Sequence, residues 1–104
     1  MSTSELSEVC RLCKIILKHG YSITVNDGEE DVVSKSKNMA DIRAALYSTD
    51  EDYLYVYKEG KRTQVGCIYL VYDNSPDGSE VVCDHSTTKE ITEIMNEFER
   101  GIEH

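Results

Sequence analysis

Two cysteines, Cys10 and Cys13, have the C-x-x-C spacing that zinc sites share with thioredoxin-like redox pairs. A zinc site needs four ligands, so Cys67, Cys83 or His85 would have to converge on this pair. A redox pair normally lies at a helix N-terminus, whereas this one falls in the middle of a predicted helix, on its apolar stripe. Free cysteine packs as a small apolar residue, so we expect core packing to explain all four thiols, with Cys10 and Cys13 buried, reduced and metal-free.

Two further patterns contain residue types used in metal binding or catalysis. Residues 73–78, DNSPDG, match the first six positions of a calcium loop, but position twelve is Asp84 instead of Glu and the flanks are predicted strands. Asp84 and His85 are adjacent, and adjacent strand residues point to opposite faces, so the carboxylate cannot orient the imidazole. No nucleophile motif or phosphate-binding glycine loop accompanies them. We therefore expect no catalytic residues, no cofactor and no metal, in a protein that is not an enzyme.

The segment STDEDYLYVY, residues 48–57, joins acidic residues to a tyrosine at every second position. On a strand, Leu54 and Val56 share one face, which suits the core, and Tyr53, Tyr55 and Tyr57 share the other. Tyrosine is enriched in protein interfaces and their hot spots. It also forms ordinary cross-strand ladders on half-exposed sheets. Both interpretations of the tyrosines stay open.

The candidate binding surface combines these tyrosines with nearby acids, which are expected at its rim. Tyr69 or Tyr72 of the next strand joins it, depending on register. The candidate partner-binding residues are Tyr53, Tyr55, Tyr57, Asp50, Glu51, Asp52, Glu29, Glu30 and Asp31.

Length and charge limit the classes of function. A chain of 104 residues is expected to form one domain, spanning residues 1–104. Eleven Lys and Arg stand against twenty Asp and Glu, a net charge of −9 that argues against direct binding to nucleic acid and favours a basic partner or simply solubility. The sequence has no apolar run of the ~20 residues that a membrane span needs, and no signal-peptide pattern at its start. We expect a soluble, cytoplasmic protein that does not bind membranes.

Hydrophobic periodicity predicts three helices. The first covers residues 5–19, capped by Ser2 with Glu5 or by Ser4 alone, with Gly20 just past its end. The second covers 38–47, with Ser36 or Asn38 as its cap. The third covers 88–101, with a capping box made by Thr87 and Glu90. The apolar stripe of the first helix consists of Leu6, Val9, Cys10, Cys13, Ile16 and Leu17.

Strand patterns alternate with turn chemistry. Residues 21–25 and 31–34 form a hairpin around Asn26-Asp27-Gly28. Three further strands, near 53–58, 65–72 and 80–85, are joined by turns at 59–61 and 74–78. Residues 65–72 are apolar on both faces, which predicts a central strand buried on both sides. The order α-β-β-α-β-β-β-α predicts an α+β fold with one antiparallel sheet of about five strands and helices on one face.

Four segments carry a resemblance: YSITVNDGEED, ALYSTDEDYLYVY, VGCIYLVYDN and VVCDHST. They resemble a group of small uncharacterised phage and prophage proteins with the pattern DGEE, STDED, G-x-V-G-W-V-x-L-V-Y-G-N and D-Y-T. The likeness covers residues 20–88 and leaves both terminal helices unmatched. The sequence departs from that pattern at Cys67 for Trp, Asp73 for Gly, Asp31 for Trp and His85 for Tyr. The resemblance implies a phage setting and a fold, and it implies no activity or functional residues.

Three functions are compatible with these features. The first is a non-enzymatic phage or prophage accessory protein that binds a host protein, in which carboxylates imitate phosphates on a basic nucleic-acid-binding surface. Anti-CRISPR and anti-restriction proteins are analogous in size, charge and setting. The second is a small-ligand or nucleotide-binding sponge, for which the sequence offers few candidate basic donors beyond Lys35, Lys58, Lys61 and Arg62. The third is a structural homo-oligomer, such as a homodimer through the tyrosines.

Overall fold

The described residues form one five-stranded antiparallel sheet and three helices, in the predicted order α-β-β-α-β-β-β-α. The structure, a computed structural model, describes residues 3–46, 51–58, 64–72 and 81–102. Its elements are α1 (Thr3–Lys18), β1 (Tyr21–Asn26), β2 (Asp31–Ser36), α2 (Met39–Ala45), β3 (Glu51–Lys58), β4 (Gln64–Val71), β5 (Val82–His85) and α3 (Lys89–Ile102). The predicted α+β fold class is confirmed.

The sheet has the order β2-β1-β3-β4-β5, with every neighbouring pair antiparallel. The strand that carries the alternating tyrosines, β3, lies in the middle. The strand predicted to be central, β4, is an interior strand between β3 and β5. The short strand β5 and the irregularly paired strand β2 form the two edges.

The three helices cover one face of the sheet, because their apolar stripes are buried together with alternate residues of the strands. None of the helices in the described ranges has the length and apolarity that a bilayer-spanning helix requires. The largest fully buried side chains are Leu12, Ile16, Ile23, Ile42, Leu54, Ile68, Leu70, Ile91, Ile94, Val9 and Val25.

The prediction that β4 is buried on both faces is wrong. Ile68 and Leu70 are fully buried under the helices, whereas Cys67 and Tyr69, on the other face, remain partly exposed. The apolar residues of that second face have no helix above them in the part of the chain that the structure describes. Tyr69 stacks instead on Tyr53 of the neighbouring strand β3.

Two helix caps can be compared with their predictions. Asn38 caps α2 as predicted, because its side-chain oxygen accepts the N–H groups of Ala40 and Asp41 at 2.9 and 3.3 Å. The capping box predicted at Thr87 and Glu90 is wrong by one residue. Helix α3 begins at Lys89, so Thr88 is the capping residue, and its hydroxyl accepts the N–H of Ile91 at 3.3 Å. The side chains proposed to cap α1 lie outside the described residues.

Two predicted turn residues have the backbone conformation expected of glycine. Gly20, after α1, has a φ of 90°, and Gly28, in the β1–β2 turn, has a φ of 100°. Both values lie in the left-handed region, where a side chain is strained. The turns predicted at 59–61 and 74–78, which include most of the calcium-like motif, lie outside the described residues.

The four cysteines are free thiols that differ in how deeply they are buried. Cys13 is fully buried as predicted, and burial raises the pKa of its thiol well above the ordinary value. Cys10 is only partly buried, Cys67 is half-buried and Cys83 is exposed, so core packing does not explain all four. Within the described residues, no group of three or more His, Cys, Asp or Glu side chains is placed to hold a metal ion.

Candidate functional site

The face of the sheet opposite the helices carries four tyrosines. On β3, Tyr53, Tyr55 and Tyr57 are partly exposed and alternate with buried core residues, so their predicted outward orientation is confirmed. Tyr69 of β4 lies on the same face, directly opposite Tyr53 in the strand register. We refer to Tyr53, Tyr55, Tyr57 and Tyr69 as the tyrosine face.

The rings of the tyrosine face are ordered against one another. Tyr53 and Tyr69 stack with centroids 4.7 Å apart and an interplanar angle of 22°. Tyr53 and Tyr55 are also near-parallel, with centroids 6.3 Å apart and an angle of 15°. Contacts of this kind stabilise aromatic pairs beyond the area they bury. They also hold the rings in place, so a partner would lose little side-chain entropy on ordering them.

Acidic side chains lie at one end of the tyrosine face. Glu51 accepts a hydrogen bond from the hydroxyl of Tyr69. Asp31 accepts a hydrogen bond of 2.9 Å from the side-chain amide of Asn26. Burial raises the pKa of Tyr55, and the charge of Asp31 contributes to the same shift. Asp84 of β5 lies opposite Tyr69 in the register and is exposed. We refer to Asp31, Glu51 and Asp84 as the acidic rim.

The acids of the β1–β2 turn are arranged by backbone hydrogen bonds. The N–H groups of Glu29 and Glu30 donate to Asp27 Oδ1 at 2.9 and 3.0 Å, and these bonds, that from Glu30 first, lower the pKa of Asp27. Glu29 and Glu30 are exposed, as expected of partner-binding residues. Asp50, also predicted for the rim, lies outside the described residues.

The prediction that Asp52 belongs to the rim is wrong. Its side chain is 0% exposed, because strand alternation places it on the same face as Leu54, toward the helices. There it accepts a hydrogen bond from the hydroxyl of Tyr72, whose side chain is 5% exposed. Tyr72 therefore lies in the core and does not join the tyrosine face. The neighbouring acids Glu51 and Asp52 thus accept hydrogen bonds from Tyr69 of β4 and from Tyr72, the residue that follows β4, on opposite faces of the sheet.

A depression of about 360 Å³ opens on the uncovered face where β3, β4 and β5 meet. The candidate binding surface predicted from the sequence contains Tyr53 and, depending on register, Tyr69, but no residue of β5. The register that brings β5 beside β4 is the information that was lacking. The residues that line the depression are Tyr53, Cys67, Tyr69, Asp84, His85 and Ser86.

The polar groups of the depression are mainly hydrogen-bond acceptors. His85 Nδ1 lies 2.9 Å from the Ser86 carbonyl oxygen, which can only accept, so Nδ1 carries a proton and, in the uncharged form of the ring, Nε2 is an acceptor. Asp84 Oδ1 accepts the main-chain N–H of His85 at 2.8 Å. The carboxylate is therefore engaged by the backbone at the end of β5. If Asp84 oriented His85 as a catalytic base, the imidazole ring would donate a hydrogen bond to the carboxylate, which it does not do here.

The thiol in the depression is poorly suited to nucleophilic catalysis. Burial, followed by the nearby charge of Asp84, raises the pKa of Cys67. A nucleophilic cysteine needs the opposite shift, because the thiolate is the reactive form. The surroundings of Cys67 therefore disfavour the thiolate form.

The opposite end of the tyrosine face carries a cation. Lys35 Nζ lies 4.9 Å from the centroid of the Tyr57 ring, a distance at which an ammonium group is attracted to an aromatic face. The tyrosine face therefore has a cation bound at its Tyr57 end and carboxylates near Tyr53 and Tyr69.

The Tyr69–Glu51 hydrogen bond predicts a shifted tyrosine titration. The bond to Glu51, then burial, raises the pKa of Tyr69 from 10.0 to about 12. Because the folded-state pKa is raised, the bond's contribution to stability is complete below pH 10 and is lost as pH rises towards about 12. Glu51→Gln should lower this pKa, and tyrosinate absorbance midway between these pH values should increase. Glu99→Gln, on the exposed side of α3, serves as the control, and identical titration curves for both variants would contradict the assignment.

Comparison of the chain with family models, with curated proteins and with solved structures finds no match in any of the three. The resemblance to phage and prophage proteins stays a prediction. The case for function depends on the chemistry of the uncovered face.

Proposed function

We propose that this chain is a non-catalytic phage or prophage accessory protein whose tyrosine face binds a basic surface of a host protein. The observation that carries the proposal is the position of four partly exposed tyrosines, three of them stacked on one another, on the face of the sheet that the helices leave uncovered. Aromatic residues at the centre of a surface, with charged groups around them, are the usual composition of a protein interface.

The charge of the surface favours a basic partner. The acidic rim adjoins the aromatic rings, and Glu29 and Glu30 extend the negative surface into the β1–β2 turn. The whole chain carries a net charge of −9, so long-range attraction would accelerate its association with a positive surface. The same charge would repel nucleic acid itself.

We further propose that the bound surface is one the host protein uses to bind nucleic acid. Exposed carboxylates on a rigid domain can occupy the positions of phosphates in a basic groove, and tyrosine rings can fill the positions where bases stack. A protein that acts in this way would be an inhibitor of the anti-CRISPR or anti-restriction kind. Nucleic acid should then compete with the protein for its partner.

The two alternatives have less support from the surface. A nucleotide-binding sponge needs basic donors that converge on the ligand, and the depression is lined by an aspartate and, among the described residues, by no lysine or arginine. A homodimer through the tyrosine face would bring together two chains that each carry a charge of −9. Repulsion of that kind disfavours self-association.

The decisive variant truncates one ring of the tyrosine face. Tyr55→Thr keeps a strand-forming residue but removes the central ring, and loss of an anchoring side chain weakens binding by about 1–2 kcal/mol or more, roughly tenfold. The matched control is Tyr21→Thr, the same substitution on β1. Tyr21 pairs with Lys58 in the strand register, and its ring stacks on His19 on the helix-covered side of the sheet. Wild type and control should retain the same basic proteins from host extract, and Tyr55→Thr should lose them.

Three outcomes would contradict the proposal. Retention by Tyr55→Thr equal to that by the control would show that the tyrosine face is not the interface. Retention that host nucleic acid does not reduce would contradict binding at a nucleic-acid surface. Concentration-dependent self-association of the wild type that Tyr55→Thr abolishes, measured by sedimentation velocity, would assign the face to a homodimer. Circular dichroism of each variant verifies that it is folded.

A further inference from the structure

The depression beside the stacked Tyr53 and Tyr69 rings has the shape and chemistry to hold one cationic side chain. We infer that this depression is the socket for an arginine side chain of the partner, an inference that rests on the proposed interface. Its floor and walls come from three adjacent strands, β3, β4 and β5, so its geometry is set by the sheet.

The aromatic wall attracts a planar cation. Tyr53 and Tyr69 stack at 4.7 Å with an interplanar angle of 22°, so each ring keeps one π surface that is turned away from the other, and both rings line the depression. A guanidinium group stacks on such a surface through both its charge and its plane. An ammonium group gains only the charge term, so arginine is favoured over lysine.

The polar groups complement a donor with several N–H groups. One oxygen of Asp84 accepts the main-chain N–H of His85 at 2.8 Å, and a carboxylate has about four acceptor sites. In the uncharged form of the His85 ring Nε2 is a further acceptor, because Nδ1 carries the proton and donates it to the Ser86 carbonyl. Guanidinium carries five N–H donors and no acceptor, which matches this arrangement. A phosphate would meet the negative charge of Asp84.

The chain already binds one of its own arginines in this way. The guanidinium carbon of Arg11 lies 4.3 Å from the centroid of the Phe98 ring. Its nitrogens donate to the Phe98 carbonyl at 3.0 Å and to the Glu8 carboxylate at 2.7 Å. The depression offers the same kinds of group, an aromatic face and a carboxylate, facing solvent.

The size of the depression suits a single side chain. Its volume of about 360 Å³ lies near the lower end of the roughly 300–1,000 Å³ usual for ligand pockets. It is open on the uncovered face, so a residue that projects from a docked protein surface can enter it without rearrangement of the sheet.

The test uses N-acetyl-arginine methylamide as the probe, with its lysine and citrulline counterparts. Citrulline has almost the shape of arginine but no charge. In NMR titrations of the intact chain we expect saturable shifts of Cys67, Tyr69 and His85 with the arginine probe, with affinity of roughly millimolar order. The lysine probe should bind several-fold more weakly and the citrulline probe should cause no saturable shift.

Asp84→Asn is the diagnostic variant, because asparagine keeps an oxygen for the His85 N–H but loses the charge. It should weaken binding of the arginine probe about tenfold. The control Asp41→Asn, at an exposed residue of α2, should leave binding unchanged. Equal binding of the three probes, or no effect of Asp84→Asn, overturns the inference. If capture of a partner depends on Tyr55 but is undiminished in Asp84→Asn, the inferred arginine socket is wrong and the proposed interface stands. Arginine binding without Tyr55-dependent capture supports the socket and contradicts the interface.

Discussion

Replacement of Gly66 by alanine is expected to lower the free energy of unfolding by about 1–3 kcal/mol or more. Gly66 lies on the buried face of β4, beneath α3. A Cβ atom there would come within 2.2 Å of Ile91 Cγ1 and 2.8 Å of Ile91 Cδ1. Isoleucine in a helix has one strongly preferred χ1 rotamer, so Ile91 cannot simply turn away and α3 would have to move. Urea unfolding measures the loss.

A double-mutant cycle separates this clash from other effects of alanine. Ile91→Ala alone removes a fully buried side chain and should destabilise the fold by about 2–5 kcal/mol. In that background Gly66→Ala should cost little, because the nearest remaining contact is Ser86 Cβ at 3.3 Å. Strictly additive losses for the two substitutions would show that the contact between β4 and α3 is not as close as described.

Replacement of Tyr72 by phenylalanine is expected to lower the free energy of unfolding by about 1–3 kcal/mol. The Tyr72 hydroxyl donates to the fully buried carboxyl group of Asp52. Without this donor the buried carboxyl group loses a hydrogen bond that water cannot replace. The resulting loss of stability exceeds that expected at an exposed site. The ring remains, so the change reports on the hydrogen bond and not on packing.

The matched control is Tyr69→Phe. This substitution removes the hydroxyl that donates to Glu51. Glu51 is the neighbour of Asp52 in β3, and its hydrogen bond with Tyr69 lies on the opposite face of the sheet. Because Glu51 is only half-buried, water can replace the lost donor and the loss of stability should be smaller. If urea unfolding shows Tyr69→Phe to be equally or more destabilising, Asp52 does not depend on Tyr72 in the core.

Period-two alternation was enough to predict the orientation of β3. It placed Leu54 and Val56 in the core and the tyrosines outside, as the structure has them. Continued toward the start of the strand, the same alternation would have placed Asp52 inside. Its proximity to the tyrosines in sequence, at the entry of the strand, favoured the rim instead. Its partner, Tyr72, lies 20 residues away, and the register that joins them is set by strand pairing.

The second face of β4 shows what composition alone leaves open. Cys67 and Tyr69 are apolar enough for a buried strand, so the sequence favoured burial on both faces. Burial depends on a covering layer, and all three helices pack on the other side. The contribution of Asp84 to the depression was missed for a related reason, because it requires knowledge of which strand lies beside β4 and in which register. The helices, strands and sheet class were predictable because they follow from local periodicity.

The central claim, that the tyrosine face is the surface that binds a basic partner, is tested most directly by a footprint of the complex. Hydroxyl-radical labelling of the protein, free and bound to the partner retained in the capture experiment, reports the exposure of each ring by mass spectrometry. Tyr53, Tyr55 and Tyr69 should be protected on binding, while Tyr21 on the helix-covered side should label equally in both states. Unchanged labelling of the tyrosine face, with protection confined to the helices or to Val32 on β2, would contradict the account.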